Sequence, residues 1–249
     1  MSSSNIPTPQ MYDDVGSDYD AVRTNILNVK YEEPMFWKLI GDIQQKYILD
    51  LACGSGHYSR KMIEKGAELV VGVDISERMI SAAQTQEEND KHGIRYMVGD
   101  AASLSLKENN LLFDIVTAQY LLCHAETEKQ LQEFSKTAFA HLKSGGKFVA
   151  ITTIYSKEIS SPDGKPVNGC LYRPTNKQGD VTDSSTWYDG MPVHVTLFSD
   201  DMKKTCSLRD HVWLPSTIKS KLMDVGFKTV HEHRLTECNP EAIFVAFKD

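Results

Sequence analysis

Five apolar runs alternate with amphipathic stretches between positions 47 and 153, and this alternation constrains the fold more than any other feature of the chain. Each run is short and rich in β-branched residues, and the five cover residues 47–51, 69–74, 94–98, 113–118 and 147–153. Runs of this kind are typical of strands that are buried on both faces of a parallel sheet. The pattern therefore predicts a doubly wound α/β sheet with right-handed crossovers.

The stretches between these runs have the spacing and the end signals of helices. We predict helices at residues 57–65, 77–90 and 126–142, with Gly66 as the stop of the first and Ser76 as the N-cap of the second. A leading helix is expected at residues 32–45. Near the other end, Pro215 is expected to open a helix, and two strands near 228–235 and 243–248 are expected to pair as an antiparallel hairpin.

Residues 155–213 differ in composition from this alternating core. They are rich in Asp, Gly, Ser, Thr and Pro, and they contain short alternating segments such as residues 193–198. This favours an antiparallel insertion over another strand–helix–strand unit. We therefore expect an N-terminal arm and lid at residues 1–30, and one domain at 31–249 that carries an acceptor-side insertion at about 155–213.

The charge balance favours a small-molecule partner. The 249 residues carry a formal net charge of −7, and the basic residues are scattered, whereas nucleic-acid binding draws on clustered Lys and Arg. The five cysteines form no CxxC pair, which indicates neither a disulfide framework nor a metal site. Residues 1–10 lack the basic start and apolar stretch of a signal peptide. We expect a cytoplasmic monomer that binds neither nucleic acid nor membrane.

A glycine loop at residues 50–56 (DLACGSG) follows the first predicted strand and opens the first helix. Gly54 and Gly56 permit a tight turn and the close approach of a ligand to the main chain. Asp74, 18 positions after Gly56, ends the second strand, where a carboxylate can accept both hydroxyls of a ribose. Asp100 ends the third strand and can accept a hydrogen bond from an exocyclic amine such as that of adenine. The three features predict a nucleoside-binding edge.

These motifs resemble those of class I S-adenosylmethionine-dependent methyltransferases. The resembling segments are residues 48–56, 71–79, 99–102, 113–122 and 141–146, in the family's order and spacing. The resemblance implies a Rossmann-like fold, a mostly parallel seven-stranded sheet with a C-terminal antiparallel hairpin, and S-adenosyl-L-methionine as cofactor. More narrowly, Tyr58-Ser59-Arg60 after the loop, with the N-terminal pairs at 12–13 and 19–20, resembles small-molecule methyltransferases of secondary metabolism, such as the toxoflavin-type N-methyltransferases.

The resemblance also implies which residues bind the cofactor. They are Tyr19, Arg23, Asp50, Ala52, Gly54, Gly56, Asp74, Ile75, Met79, Asp100, Ala101 and Gln119. In this scheme Asp50 binds the methionine ammonium directly or through water, and Asp74 binds the ribose hydroxyls. Asp100 and the amide of Ala101 bind the edge of the adenine.

The remaining members of the set have supporting roles. Ile75 and Met79 would pack against the adenine, and the backbone carbonyl of Gln119 would meet the methionine ammonium. Tyr19 and Arg23 would close over the methionine carboxylate from the N-terminal segment. His57 is a departure, because this branch often has an aromatic or aliphatic residue there.

Three alternatives stay open at this point. A nicotinamide dehydrogenase would carry a third glycine where this chain has Ser59. A methyltransferase acting on protein or nucleic acid remains possible, although residues 119–122 (QYLL) replace the NPPY-like tetrad of nucleic-acid amino methylation. A non-catalytic module that only binds the cofactor is the third.

Methyl transfer is an in-line displacement at a carbon that the sulfonium already activates, so alignment and water exclusion are its main requirements. A base matters when the acceptor arrives protonated. The catalytic candidates are His124 as the base, with Tyr120 and Tyr12. An aromatic wall over the acceptor is expected from Tyr12, Tyr120, Trp187, Tyr188 and Trp213. The acceptor atom, N, O or S of a small metabolite, stays open.

Overall fold

A seven-stranded sheet forms the centre of the protein. The computed structural model describes residues 11–12, 22, 28–106, 111–154, 170–176, 179–180, 188–199, 203, 205–235 and 241–249. The strands of the central sheet are β1 (Tyr47–Leu51), β2 (Leu69–Asp74), β3 (Arg95–Val98), β4 (Phe113–Gln119), β5 (Leu142–Thr153), β10 (Thr229–Arg234) and β11 (Glu241–Phe247). Their order is β10-β11-β5-β4-β1-β2-β3. Only β11 is antiparallel to its neighbours, β5 and β10, so the predicted parallel sheet with a terminal hairpin is confirmed.

Helices cover both faces of this sheet. They are α1 (Glu33–Ile40), α2 (His57–Glu64), α3 (Glu77–Asp90), α4 (Glu128–His141) and α5 (Pro215–Asp224), and a π-helical turn (Asn28–Glu32) precedes α1. Alternate residues of β1 enter different cores: Ile48 packs with residues of α1, α2 and α3, and Leu49 packs with residues of α4 and α5. The doubly wound arrangement follows from strands that are apolar on both faces. No helix in the described ranges has the length and apolar character needed to span a membrane.

The insertion forms a second sheet. Its strands are β6 (Cys170–Asn176), β7 (Gly179–Asp180), β8 (Met191–Phe198) and β9 (Thr205–Val212), in the order β7-β6-β8-β9. All of its pairings are antiparallel, as the alternating segments predict. A separate apolar cluster, which includes Val193, Val195 and Val212, lies on this sheet.

Two boundaries differ from the sequence prediction. The leading helix ends at Ile40, and Gly41 at φ 68° follows it. β5 begins at Leu142, directly after α4, because Leu142 already pairs with Phe113. The register then shifts, and Lys147 pairs with Ile115, so the Gly145-Gly146 turn is a bulge within the strand. Ser76 caps α3 as predicted, since its Oγ accepts a hydrogen bond from the amide of Met79 at 3.1 Å.

Candidate functional site

A cavity of about 350 Å³ lies at the carboxyl ends of the parallel strands, the edge at which ligands bind in open α/β sheets. Most of the predicted residues line it: Tyr12, Ala52, Gly54, Asp74, Ile75, Met79, Asp100, Ala101, Gln119, Tyr120 and His124. Two predicted residues, Asp50 and Gly56, are not among its lining residues. Tyr19 and Arg23 lie outside the described residues. The structure therefore brings residues from the ends of β2 and β4, from the segments after β1 and β3, and from the N-terminal segment to one cavity.

The two loop glycines have different roles. Gly54 lies on the cavity wall at φ 56°, and among the described residues nothing lies within 4 Å of the place where a Cβ would stand. Gly56 adopts φ 87°, and a Cβ there would stand 2.3 Å from the hydroxyl of Tyr96. The expectation that a ligand approaches the main chain stays a prediction for Gly54, where the space is open, whereas Tyr96 fills the space beside Gly56. Gly56 is needed because Tyr96 packs against the loop.

Asp50 supports the loop from beneath. Its side chain is fully buried, and its carboxylate accepts hydrogen bonds from Ser59 Oγ at 2.6 Å and from Thr117 Oγ1 at 2.8 Å. These contacts join β1 to α2 and to β4. The role implied by the resemblance, direct binding of the methionine ammonium, does not fit a carboxylate that lies away from the cavity wall. A route through water remains a prediction.

Asp74 is the best-supported ligand acceptor of the cavity. Its Oδ2 accepts a hydrogen bond from the amide of Gly54 at 2.8 Å, and its Oδ1 accepts one from the amide of Ser76 at 2.9 Å. Burial raises the pKa of this carboxyl, and the amides of Ser76 and Gly54 counteract the rise. A carboxylate oxygen accepts more than one hydrogen bond. Asp74 can therefore bind a pair of hydroxyls while it holds the glycine loop.

The next strand end provides a second acid and an apolar slot. Asp100 is exposed at the cavity edge, and its Oδ1 accepts a hydrogen bond from the amide of Ala102 at 2.8 Å. Met79, which is buried, and Ile75 line the cavity together with Ala101. Such a slot, apolar on its faces and polar at its edge, suits a flat heteroaromatic base.

The end of β4 carries a strained backbone and an unsatisfied donor. Tyr120 adopts φ 60°, and Ala52 in the glycine loop adopts φ 57°. Non-glycine residues rarely adopt this conformation, and such residues cluster at functional sites. The side-chain Nε2 of Gln119 is buried and has no hydrogen-bond partner among the described residues. A buried polar group without a partner is costly, so this nitrogen suits an acceptor atom of a ligand.

The hydroxyl of Tyr120 makes a hydrogen bond within the protein that joins the end of β4 to the π-helical turn before α1. It donates a hydrogen bond to Glu32 Oε2, and Glu32 Oε1 accepts one from the hydroxyl of Tyr58 at 2.6 Å. Burial raises the pKa of Tyr120 well above its ordinary value, and the negative charges of Glu241 and Glu32 raise it further. The expectation that Tyr120 acts in catalysis is therefore not supported, although its ring lines the cavity.

His124, the predicted base, lies between two polar partners. It ends a 3₁₀ turn (Leu122–His124) that follows β4, and it is 9% exposed. Its Nε2 is 2.7 Å from the hydroxyl of Tyr12, and its Nδ1 is 3.3 Å from Asp210 Oδ1. The second distance is that of an ion pair and lacks the alignment of a hydrogen bond. Sequence reasoning missed Asp210, which lies 86 positions after His124 on β9.

Cys123 joins this pair in a compact group. One potential ligand atom each from Cys123, His124 and Asp210 lies within 4.8 Å of the others. Burial raises the pKa of the Cys123 thiol, and the charge of Asp210 raises it further. The thiol lies 3.2 Å from the backbone carbonyl of Tyr120, to which it donates. A neutral, hydrogen-bonded thiol is a poor metal ligand, so the expectation of no metal stays a prediction.

The predicted aromatic wall is only partly present. Tyr12 and Tyr120 line the cavity. Trp213 is buried in the core, where its Nε1 donates to the carbonyl of Ala125 at 3.1 Å. Tyr188 is 54% exposed and is not among the lining residues, and Trp187 lies outside the described residues. The two tryptophans and Tyr188 therefore give no support to this part of the prediction.

The structure accounts for the lining residues that the sequence did not predict and for His57, which departs from the family pattern. The lining residues that the sequence did not single out are Gly99, Leu121, Glu126, Gln130 and Phe134. Gln130 and Phe134 lie four positions apart on α4, a helical spacing that could have identified them, and Glu126 precedes that helix. His57, which departs from the family pattern, contacts Glu33 Oε1 at 3.0 Å through its Nε2 and so helps to join α2 to α1.

Comparison with known proteins agrees with this geometry. Residues 48–146 match a family model described as a methyltransferase domain. A demethylmenaquinone methyltransferase of Lactococcus lactis subsp. lactis (strain IL1403) is 31% identical over 152 residues, which are 58% of this chain and 57% of that protein. A ubiquinone biosynthesis O-methyltransferase of Coxiella burnetii (strain Dugway 5J108-111) is 32% identical over 123 residues, 49% of this chain and 48% of that protein. The chain thus spans about half the length of the curated relatives it matches.

Solved structures show the same fold along most of the chain. An S-adenosylmethionine-dependent methyltransferase from Clostridium acetobutylicum ATCC 824 superimposes with a TM-score of 0.66 at 17% identity, covering 95% of this chain and 98% of that one. A glycopeptide N-methyltransferase complexed with S-adenosyl-L-methionine gives 0.60 at 16% identity, covering 87% and 86%. Residues 48–146 therefore resemble methyltransferase domains, and the chain has the Rossmann-like fold of class I S-adenosylmethionine-dependent methyltransferases that its sequence predicts.

Proposed function

We propose that this chain transfers a methyl group from S-adenosyl-L-methionine to a small-molecule acceptor. The observation that carries the proposal is the convergence of Asp74, Asp100 and the open Gly54 on one cavity. Its volume of about 350 Å³ lies within the usual range for small-ligand sites. Asp74 suits a ribose diol, Asp100 suits an exocyclic amine, and the bare backbone at Gly54 admits the chain of an amino acid.

One buried side chain of the cavity has a hydrogen-bonding atom that fits this cofactor. The buried Nε2 of Gln119 has no partner among the described residues, and the methionine carboxylate would satisfy it. The backbone carbonyl of Gln119 at the end of β4 would accept from the ammonium group, as the resemblance implies. The donor supplies an electrophilic methyl carbon, so the protein's part is to orient the acceptor, exclude water and take up any proton.

The acceptor is proposed to be a small metabolite. The net charge of −7 disfavours polyanionic partners. The similar proteins named above are a demethylmenaquinone, a ubiquinone-pathway and a glycopeptide methyltransferase, so related sequences and folds serve different acceptors. The toxoflavin-type branch and the cytoplasmic, monomeric state stay predictions.

We propose further that the N-terminal segment and the insertion form a lid over the acceptor side. Met11 and Tyr12 pack with Cys206 and Leu208 of β9, and the amide of Arg209 lies 3.2 Å from the sulfur of Met11. Tyr12 also lines the cavity. Ligand binding should order a segment of this kind. Equal hydrogen-exchange protection of residues 1–25 with and without S-adenosylmethionine would count against the lid.

Two measurements on the full chain test the methyltransferase proposal. Calorimetry with S-adenosylmethionine, S-adenosylhomocysteine and NAD should show binding of the first two only. Incubation with methyl-labelled donor and a metabolite extract should then produce a low-mass compound that has gained one methyl group. Label found only in protein or nucleic acid would replace the small-molecule acceptor, and binding without any labelled product would indicate a non-catalytic module.

A further inference from the structure

We propose that His124 and Asp210 form a general-base pair, and that the acceptor therefore presents a hydroxyl group to His124. This inference rests on the methyltransferase function proposed above and specifies its acceptor. Asp210 would be a positioning residue that acts through the imidazole. It lies on β9, so the insertion would supply part of the catalytic apparatus and would do more than cover the acceptor.

Each ring nitrogen of His124 contacts a different partner. His124 lines the cavity, and its Nε2 contacts the hydroxyl of Tyr12 at 2.7 Å. On the opposite side of the ring, Nδ1 lies 3.3 Å from Asp210 Oδ1. His124 is 9% exposed and Asp210 5%. Both atoms of the longer contact are buried without a hydrogen-bond partner among the described residues, and catalytic contacts often shorten only when the ligand is bound.

The chemistry of the partners determines the tautomer. An ionised carboxylate only accepts hydrogen bonds, whereas a phenol both donates and accepts. With Asp210 ionised, the ring proton of His124 lies on Nδ1 and the lone pair on Nε2. The hydroxyl of Tyr12 then donates to Nε2. The basic nitrogen of the imidazole is thus the one on the cavity side, as in other carboxylate-oriented histidine bases.

Two carboxylates interact with the imidazole ring of His124. Burial raises the pKa of both Asp210 and Asp74, and the electrostatic interaction of each carboxyl with His124 counteracts part of that rise. His211 also interacts electrostatically with His124, and burial, followed in size by Arg209 and His124, lowers the pKa of His211 to about 4. Cys123 contributes a neutral thiol. A positive charge on the imidazole would therefore interact with two carboxylates.

Tyr12 shows which acceptor group fits. Its hydroxyl, carried by an aromatic ring, occupies the hydrogen-bonding position at Nε2, and the rings of Tyr12 and His124 meet edge to face at 5.4 Å between centroids. An acceptor hydroxyl, that of a phenol above all, would take this position in place of the Tyr12 hydroxyl. Its proton moves to Nε2 as its oxygen forms the new O–C bond to the methyl carbon. The donor's S–C bond breaks, its electron pair stays on sulfur, and the imidazolium later releases the proton to water.

The test of the pair needs no knowledge of the acceptor. Nitrogen-15 NMR of the full chain, with His124→Gln for assignment, reports which nitrogen of His124 carries the proton. In the wild-type protein at neutral pH we expect the proton on Nδ1. In Asp210→Asn, whose amide can also donate, we expect a shift toward the other tautomer, while Tyr12→Phe and the exposed-surface control His194→Gln keep the wild-type tautomer. A proton on Nε2 in the wild-type protein would overturn the pair even if Asp210→Asn did not fold.

The acceptor class is tested with S-adenosylmethionine labelled with carbon-13 in its methyl group and a metabolite extract. The carbon shift of the product methyl distinguishes O-, N- and S-methylation. We expect an O-methyl product and, in His124→Gln, a kcat at least about 100-fold lower with unchanged donor affinity. Asp210→Asn should show a smaller loss of kcat, and His194→Gln none. An N-methyl product formed equally by His124→Gln would refute the inference, whereas failure of the wild-type chain to bind the donor would instead refute the proposed function.

Discussion

The Oδ2 of Asp74 lies 2.8 Å from the amide nitrogen of Gly54, so one carboxylate both faces the cavity and fixes the backbone of the glycine loop. The contact joins the end of β2 to the loop after β1, and Oδ1 holds the start of α3 through the amide of Ser76. A ligand diol on this carboxylate would thus be coupled to the loop that contacts the rest of the ligand.

Replacement of Asp74 should weaken binding of every ligand that carries the ribose. We expect Asp74→Ala to lose about 1–3 kcal/mol of affinity for S-adenosylmethionine, the cost of lost hydrogen bonds to a charged group. The loss should be similar for methylthioadenosine, which has the nucleoside and lacks the amino-acid part. Calorimetry measures both, with the exposed Glu64→Gln on α2 as control. Unchanged affinity for both ligands would contradict the assignment of Asp74 to the ribose.

Substitution of Gly54 should reduce cofactor affinity, whereas substitution of Gly56 should mainly reduce the stability of the fold. Gly54→Ala has space for the Cβ, so we expect the backbone strain of a left-handed residue, about 1 kcal/mol, together with a loss of cofactor affinity. Gly93→Ala is the matched control, because Gly93 has φ 82° and equally open surroundings away from the cavity. It should show the strain without the loss of binding.

Gly56→Ala should behave in the opposite manner. Its Cβ would approach the Tyr96 hydroxyl to 2.3 Å, so the loop or Tyr96 must move. We expect a larger fall in the free energy of unfolding than in Gly93→Ala, measured by urea denaturation. If Gly56→Ala proved as stable as Gly93→Ala while it lost the cofactor, the sequence-based role of Gly56 in ligand approach would be restored.

The fold and the cavity residues at strand ends could be predicted because their signals are local. The strand runs, the glycine loop, Asp74 and Asp100 are each defined by a few consecutive residues, and parallel strands bring their ends together. Asp50 could not be assigned in this way. Its position suggests a ligand contact, but its hydrogen bond to Thr117, 67 positions away, turns it into a support for the loop. Gly56 and Tyr96 form a similar case.

Asp210 illustrates the other limit of sequence reasoning. The role of Asp210 depends on its distance to His124. His124 follows β4 of the central sheet, whereas Asp210 lies on β9 of the second sheet, 86 positions later in the chain. The alternating pattern predicts the strand that carries Asp210 but not the strand's placement against the 3₁₀ turn. Conversely, the aromatic residues of the insertion suggested a wall, and Trp213 is instead a core residue because its Nε1 reaches the carbonyl of Ala125.

Tyr120→Phe should affect stability more than chemistry. The change removes the hydroxyl that donates to Glu32 and leaves that buried carboxylate with one donor fewer among its described contacts, which costs about 1–3 kcal/mol. Because the pKa of Tyr120 is raised well above its ordinary value, its loss should leave the pH profile of kcat/KM unchanged. A profile that lost a limb in Tyr120→Phe would restore a catalytic role for this phenol.

Removal of metal should leave the protein intact. The group of Cys123, His124 and Asp210 brings three potential ligand atoms together, yet the pKa of the Cys123 thiol is raised well above its ordinary value by burial. We expect dialysis against a chelator to change neither donor affinity nor melting temperature, and added Zn²⁺ to bind no more tightly to the wild-type chain than to Cys123→Ser. Tight zinc binding abolished by Cys123→Ser would show that this group is a metal site.

His211 should make the fold less stable on mild acidification. Burial, followed in size by the electrostatic interactions with Arg209 and His124, lowers its pKa from 6.5 to about 4. The folded protein therefore keeps the ring neutral while the unfolded chain binds a proton below pH 6.5, so stability falls as pH decreases from about 6.5 to about 4 and no further. Between neutral pH and pH 5 the contribution is about 2 kcal/mol. Urea unfolding of the wild-type chain and His211→Gln at pH 7.5 and 5.0 should show that the difference between their free energies of unfolding changes by that amount in favour of the variant.

The same comparison with His194→Gln, whose ring is exposed in the folded protein, should show no change in this difference. A gap for His211→Gln that does not change with pH would mean that the ring takes up its proton in the folded state as readily as in the unfolded chain.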